Sequence, residues 1–241
     1  MKSAVAVSGW VTVIIPALNE EEPIAGVVRA VAAQDIAHEI IVVDNGSNDD
    51  TARRARDAGA RVVVEPRRGY GRACMAGVRA LSARCDVVVV FLDGDGSDCP
   101  EFLDELVDPV MAGTHDFVIG SRTRGKREPG SMNFQQIFSG RIGGLIMRFL
   151  YGVRYTDMCP FRAIRRDALE RLSMKEKTYG WNLEMQMRAA RAGLRILEVP
   201  VNHRCRTGGQ SKVSGTLRGT FVAGARIIAT LLRIAFERNM G

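Results

Sequence analysis

The sequence predicts an α/β fold: a mostly parallel sheet with helices on both faces, followed by amphipathic helices toward the C-terminus. Two observations carry this expectation. Short β-branched runs without in/out alternation recur through residues 1–120, as strands buried on both faces require. Amphipathic stretches of helical length lie between them, bounded by Pro, Gly and capping residues. A third observation bounds the size: 241 residues with 46% hydrophobic content suit one domain with a sizeable core. The whole chain, 1–241, therefore reads as a single domain with a first half (1–120) and a second (121–241).

The elements follow in order. Val11–Ile15 is a continuous apolar run broken at Pro16, and Glu22-Pro23 opens a helix to about Ala33. Glu39–Val43 is the second buried strand, ending at Asp44-Asn45-Gly46-Ser47. Asn48–Thr51 supplies capping residues for a helix that stops near Gly59. Arg61–Val64 is the third strand, and a helix spans Tyr70 to Ser82. Val87–Leu92 is the fourth strand and runs into Asp93-Gly94-Asp95-Gly96. Pro100 starts another helix, and Phe117–Ile119 is a short fifth strand. The second half is less regular. Ile137–Tyr151 has helical periodicity, with Phe138, Ile142, Leu145, Ile146 and Phe149 on one face and Arg141 and Arg148 at its edge. Asn182–Ala192 reads as helix and Arg195–Val199 as strand. Gly219–Phe236 reads as a last amphipathic helix, with Arg226 and Arg233 on its polar side.

The net charge of +7 divides unevenly: residues 1–120 carry 11 Lys/Arg against 19 Asp/Glu, whereas 121–241 carry 23 against 8. A basic half can hold phosphates or face an anionic membrane, and clustered acids at a strand end can hold a divalent cation. Nucleic acid is not an expected partner, because 6% aromatics offer little base stacking and the acidic half repels phosphate. Five Cys without metal or CxxC spacing argue against a disulfide framework or zinc and fit a reducing cytoplasm. Met1–Gly9 lacks the long apolar core of a secretory leader. No uncharged apolar run reaches the roughly 18 residues that a spanning helix needs.

In parallel sheets of this kind, ligands bind beyond the carboxyl ends of the strands. Pro16–Glu20, Asp44–Ser47 and Asp93–Asp98 all fall there and are expected to share one crevice. The first strand leads into Pro-Ala-Leu-Asn-Glu instead of G-x-G-x-x-G, and no G-x-x-x-x-G-K-[ST] occurs. Dinucleotide dehydrogenases and P-loop kinases are thereby disfavoured. Gly69-Tyr70-Gly71 lacks a third glycine and does not follow the first strand. Asp93 and Asp95, one small residue apart, can share a hard divalent ion that neutralises a diphosphate; the alternative is a pair of turn formers. Asp44 can accept hydrogen bonds from a base or ribose, or form an Asx turn with Asn45-Gly46. Glu20 can serve the site or the start of the following helix. In the second half, Arg206, Ser211 and Lys212 lie in Arg-Thr-Gly-Gly-Gln-Ser-Lys, a loop suited to closing over an anionic diphosphate or to a solvated surface.

These pieces in this order resemble the family 2 glycosyltransferases of the GT-A fold, and within them the dolichol-phosphate mannose synthase-like group that glycosylates polyprenyl phosphates. The matching segments are Val13-Ile-Ile-Pro-Ala-Leu-Asn-Glu20, Val42-Val-Asp-Asn-Gly-Ser-Asn-Asp49, Phe91-Leu-Asp-Gly-Asp-Gly-Ser97, Phe117-Val-Ile-Gly-Ser-Arg122 and Asp157-Met-Cys-Pro-Phe-Arg162. Glu184–Gly193 leading to Glu198-Val-Pro, and Arg206 with Gly209-Gln-Ser-Lys212, complete the set. The resemblance implies a Rossmann-like GT-A domain in which Pro16, Ala17, Glu20 and Asp44 hold the nucleoside of a GDP- or UDP-sugar. It implies that Asp93 and Asp95 hold Mg²⁺ or Mn²⁺ on the diphosphate, with Ser97 in place of a further polar metal-site residue. Arg122 would approach the donor, while Arg206 and Lys212 would clamp phosphates. The acceptor is then a polyprenyl phosphate, with the amphipathic helices in peripheral contact with the cytoplasmic membrane face. A soluble or glycan hydroxyl is the alternative acceptor, and it would need Asp157 or Glu184 as a base. The chain departs from many relatives at Cys159-Pro160 and from some at Gln135, both on the acceptor side.

Overall fold

A computed structural model describes residues 10–82, 87–132, 134–208 and Arg233. Its strands are β1 (Trp10–Ala17), β2 (Glu39–Asp44), β3 (Arg61–Val64), β4 (Val87–Phe91), β5 (Phe117–Ser121), β6 (Arg162–Arg165) and β7 (Ile196–Pro200). They form one sheet in the order β3-β2-β1-β4-β6-β5-β7. The helices are α1 (Ile24–Ala32), α2 (Thr51–Asp57), α3 (Tyr70–Arg79), α4 (Leu103–Met111), α5 (Phe134–Tyr151), α6 (Arg166–Leu172) and α7 (Trp181–Arg191), with a short 3₁₀ turn at Pro100–Phe102 before α4.

The β-branched runs form the middle of the sheet because burial on both faces leaves no position for a polar side chain. Val13, Ile14, Ile15, Ile41, Val42, Val43, Val89 and Val90 are fully buried. The pairing of β1 with β2 and with β4 is parallel, so these strands end at one edge. Ala17 stands opposite Asp44 in this register, and Ile14 opposite Phe91. The segments that follow β1, β2 and β4 therefore leave the sheet at one edge. Helix α1 closes one face with Ile24, Val27, Val28 and Val31. Helix α3 lies so close to β1 that a Cβ on Gly77 would sit 2.4 Å from Ile14 Cγ2.

The sequence did not disclose β6 and α6. Strand β6 inserts antiparallel between β4 and β5, with Arg162 opposite both Phe91 and Ile119. Four residues with arginine at both ends carry no hydrophobic period, so only the tertiary context makes them a strand. Because β6 runs against its neighbours, the segment feeding it (Asp157–Phe161) arrives at the carboxyl edge beside Asp93.

Helix α5 begins at Phe134 and presents much of its apolar face outward. Leu145 and Phe149 are 67% and 88% exposed, while Met147 packs inward. Among the described residues, no helix is long and apolar enough to cross a membrane. The expected helix Gly219–Phe236 lies outside the described residues except for Arg233, as do Ser211 and Lys212. Cys74, Cys99, Cys159 and Cys205 are free thiols.

Asp116, just ahead of β5, ties the far side of the sheet together. It accepts hydrogen bonds from Arg195 N and Nε at 3.0 Å and Nη2 at 2.8 Å, and pairs with Arg165 at 3.1 Å. The Arg195 hydrogen bonds bring its carboxyl down to about 2. A lowered folded-state value contributes stability that is complete above the unfolded carboxylate range and lost as pH falls through the folded value. Urea midpoints should therefore drop between about pH 4 and pH 2, and Asp116→Asn should flatten that part of the profile. Separately, Gly77→Ala should lower unfolding free energy by about 1–3 kcal/mol through overpacking against Ile14, measured by urea titration.

Candidate active site

The loops after β1 and β2 are stitched to each other. Asn45 N donates to Ala17 O, Glu20 N to Thr51 Oγ1 at 2.8 Å, and Asn19 N to Ser47 Oγ at 3.0 Å. Pro16 and Ala17 thus lie beside the end of β2. Glu20 and Asp44 are both buried, and Asp44 Oδ1 accepts from the N–H of Ser47, three residues on, at 3.0 Å. That bond fixes the carboxylate at the end of β2.

The loop after β4 concentrates acids. Asp95 Oδ1 accepts from Ser97 N at 2.9 Å and from Ser97 Oγ at 2.6 Å. The turn between them needs Gly96, whose φ is +78°, and a Cβ there would lie 2.5 Å from Thr207 Oγ1. Asp93 Oδ1 accepts from Tyr70 Oη at 3.0 Å, and Asp93 N donates to Asp98 Oδ2 at 3.0 Å. Burial, then the charges of Asp98 and Asp95, pushes the Asp93 carboxyl well above the usual range; burial pushes Asp98 up too. Burial also keeps the Tyr70 hydroxyl protonated, with Asp93 adding to the effect, so it acts as the donor.

The segment after β7 crosses this loop. Thr207 N donates to Asp95 O and Arg204 N to Ser97 O. Arg206 Nη2 reaches Asp95 Oδ2 at 2.7 Å and lies 3.6 Å from Glu20. His203 is buried, and burial with nearby Arg122 brings it down to about 4, so it is neutral. Its Nδ1 makes no hydrogen bond among the described residues and lies 3.9 Å from Asp98 Oδ1.

A hard divalent cation fits this donor set. Three carboxylates crowd one loop, two of them raised by burial, and a cation would relieve their repulsion. Among the described residues, no three His, Cys, Asp or Glu side chains close a cage by themselves. The set suits an ion whose remaining ligands are water and phosphate oxygens, as magnesium sites commonly are.

Arg122 and Asp157 bond to each other. Asp157 Oδ2 accepts from Arg122 N at 2.9 Å and Nε at 2.8 Å, and Oδ1 from Arg122 Nη2 at 2.8 Å and Met158 N at 2.7 Å. Burial opposes the charge on Asp157, yet Arg122 holds its carboxyl below the usual range. The pair joins the end of β5 to the segment entering β6, and Gln186 of α7 supports it by donating to Asp157 O at 2.9 Å. Glu184 is fully buried. Its Oε2 accepts from Lys175 N at 3.0 Å and Glu176 N at 2.5 Å, and its Oε1 from Arg188 Nε at 3.0 Å and Arg233 Nη2 at 3.3 Å. The structure therefore brings Pro16, Ala17, Glu20, Asp44, Asp93, Asp95, Ser97 and Arg206 to one edge, engages Arg122 with Asp157, and puts Glu184 beneath a separate loop. The sequence reading passed over Asp98, Tyr70 and His203. Asp98 was visible as the third acid of one loop, whereas Tyr70 and His203 reach the site only through tertiary folding.

Residues 12–173 match the model of glycosyl transferase family 2. The chain belongs to this family. It is 34% identical over 226 residues to the undecaprenyl-phosphate mannosyltransferase of Micrococcus luteus, spanning 88% of this chain and 90% of that one. It is 34% identical over 215 residues to the polyprenol monophosphomannose synthase of Mycolicibacterium smegmatis, covering 85% and 81%. The structure is similar to glucosyl-3-phosphoglycerate synthase from Mycobacterium tuberculosis crystallised with Mn²⁺, UDP and phosphoglyceric acid. That match has a TM-score of 0.75 and 26% identity, and covers 97% of this chain and 81% of the other. This glycosyltransferase has the GT-A fold.

Asp157→Asn should destabilise this glycosyltransferase by about 3–5 kcal/mol, because it leaves Arg122 buried opposite a neutral amide. Urea unfolding of the variant checks this. A free catalytic carboxylate would instead leave stability nearly unchanged.

Proposed function

We propose that the chain transfers a hexose, with inversion, from a GDP- or UDP-sugar to a polyprenyl phosphate. The observation that carries the acceptor is the engagement of Asp157 and Glu184: each oxygen of both carboxylates already accepts hydrogen bonds from arginine or backbone N–H groups. A hydroxyl acceptor needs a base, whereas a lipid phosphate is already ionised and attacks without one. The likeness to the two polyprenyl- and undecaprenyl-phosphate enzymes supports the same acceptor. The outward apolar side chains of α5, flanked by the exposed Arg141 and Arg148, suit an anionic membrane surface.

Pro16, Ala17, Glu20 and Asp44 hold the nucleoside in this reading. Asp93 and Asp95, with Ser97 alongside, would hold Mg²⁺ or Mn²⁺, which would supply positive charge to the diphosphate. Arg206 turns from Asp95 to the phosphates, and Lys212 joins it from the same loop. A phosphate oxygen of the acceptor attacks the anomeric carbon opposite the leaving group. As that bond forms, the anomeric C–O bond breaks and its electron pair leaves with the nucleoside diphosphate. Arg206 and Lys212, facing the diphosphate, oppose the charge that grows there, so they act more strongly in the transition state than on the bound donor. Arg122, fixed by Asp157, shapes the wall beside Asp98.

A second reading, transfer to a soluble phosphorylated hydroxyl compound, is favoured by the likeness to the synthase crystallised with phosphoglyceric acid. One experiment separates the two. GDP- and UDP-sugars are incubated with Mn²⁺ or Mg²⁺, with and without a short polyprenyl phosphate or phosphoglyceric acid, and label is followed into the organic phase. Lipid-dependent release of nucleoside diphosphate with extractable sugar is expected. Label retained in the aqueous phase with phosphoglyceric acid selects the second reading. Asp95→Ala should abolish turnover and metal-dependent donor binding while the protein stays folded; retained turnover would rule out this metal site.

A further inference from the structure

The Gly69-Tyr70-Gly71 turn, which belongs to no nucleotide-binding fingerprint, joins two parts of the molecule that otherwise lie far apart in sequence. On one side it reaches the acid loop through the 3.0 Å hydrogen bond from Tyr70 Oη to Asp93 Oδ1. On the other it presses against residues 176–178. A Cβ at Gly69 would lie 2.3 Å from Lys177 O, and one at Gly71 would lie 2.2 Å from Glu176 O. Gly71 N donates to Thr178 O at 3.2 Å and Arg72 N to Lys177 O at 3.1 Å. The first amides of α3 have no carbonyl within their own helix, so these loop carbonyls satisfy them and fix where the helix starts. Gly69 N also donates to Asn45 Oδ1 at 2.7 Å, which anchors the turn to the end of β2.

The 175–178 loop is in turn shaped by Glu184, whose Oε2 gathers Lys175 N and Glu176 N. Glu176 Oε1 folds the next residues by accepting from Lys177 N, Thr178 N and Thr178 Oγ1. Arg233 reaches both Glu176 and Glu184 at 3.3 Å.

We propose that Tyr70 is a positioning residue for Asp93, and that Glu184 acts on the same carboxylate at a distance by holding the 175–178 loop under the start of α3. The inference rests on the reading that Asp93 faces a metal-bound nucleoside diphosphate. It gives Glu184 a role in donor binding in place of proton transfer. The Tyr70 hydroxyl takes up one Asp93 oxygen and leaves the carboxylate a defined orientation toward the cation.

The test is isothermal titration of the full chain with UDP and GDP, each with and without Mn²⁺, for wild type, Tyr70→Phe, Glu184→Gln and the double variant. Tyr70→Phe should weaken Mn²⁺-dependent binding about tenfold, the scale of a lost hydrogen bond to a charged group, and leave metal-free nucleotide binding unchanged. Glu184→Gln should shift the same quantity in the same direction. The double variant should lose less than the product of the two single effects, because both act through one carboxylate. Mn²⁺-dependent binding of Tyr70→Phe within twofold of wild type overturns the proposal. So does an equal loss of metal-free binding, or a Glu184→Gln variant that lowers turnover at saturating donor with nucleotide binding intact. A wild-type chain whose UDP and GDP binding ignores Mn²⁺ would overturn the metal reading itself and this inference with it.

Discussion

The arrangement of the site depends on one antiparallel strand. Had β6 run parallel to β4 and β5, its incoming segment would start at the opposite edge of the sheet, far from the acids. Running the other way, it delivers Asp157–Phe161 to the carboxyl edge, next to the loop that carries Asp93 and Asp95. Arg162 anchors the start of the reversed strand. It is a fully buried cation in the middle of the sheet, and carbonyls satisfy it: its guanidinium donates to Cys159 O and Asn182 O. Its charge also lies 5.8 Å above the Phe117 ring. With Arg162 anchored, the Arg122–Asp157 pair can bridge the exit of β5 and the entry of β6.

Two electrostatic arrangements lie near enough to influence each other, since Arg122 and Asp157 both act on Asp98. At Arg122–Asp157, opposite charges meet in bidentate geometry and their desolvation is offset by each other. At Asp93, Asp95 and Asp98, carboxyl groups are gathered, and Tyr70, Ser97, Arg206 and the Asp93 amide are among the groups that moderate them. The first arrangement is complete in the protein alone. The second leaves the Asp93 and Asp98 carboxyls above their usual range, a strain that a divalent ion held with a diphosphate would relieve.

The strands of the first half were legible because parallel burial writes itself as uninterrupted Val and Ile, and the observed bounds differ from the expected ones by a residue or two. The acid loop was legible because small residues separate its aspartates. What escaped had no local signature. Strand β6 is too short and too basic to show a period, and Tyr70 sits at an ordinary helix start. The apolar face of α5 was legible as a face, but the sequence left open whether it turned inward or outward. Glu184 shows the limit most clearly. A carboxylate on a helix near the acceptor half reads as a candidate base until the backbone amides of a neighbouring loop are seen to surround it.

The contact between the Gly69–Gly71 turn and residues 176–178 also bears on how this protein can be cut. The segment that matches the family ends at residue 173, yet the carbonyls that close the start of α3 come just after it. A fragment trimmed to the family boundary would keep the motifs at the ends of β1, β2 and β4, lose Arg206, and leave the start of α3 without its partners. The unit that must be expressed, swapped or grafted is therefore longer than the unit that sequence comparison recognises.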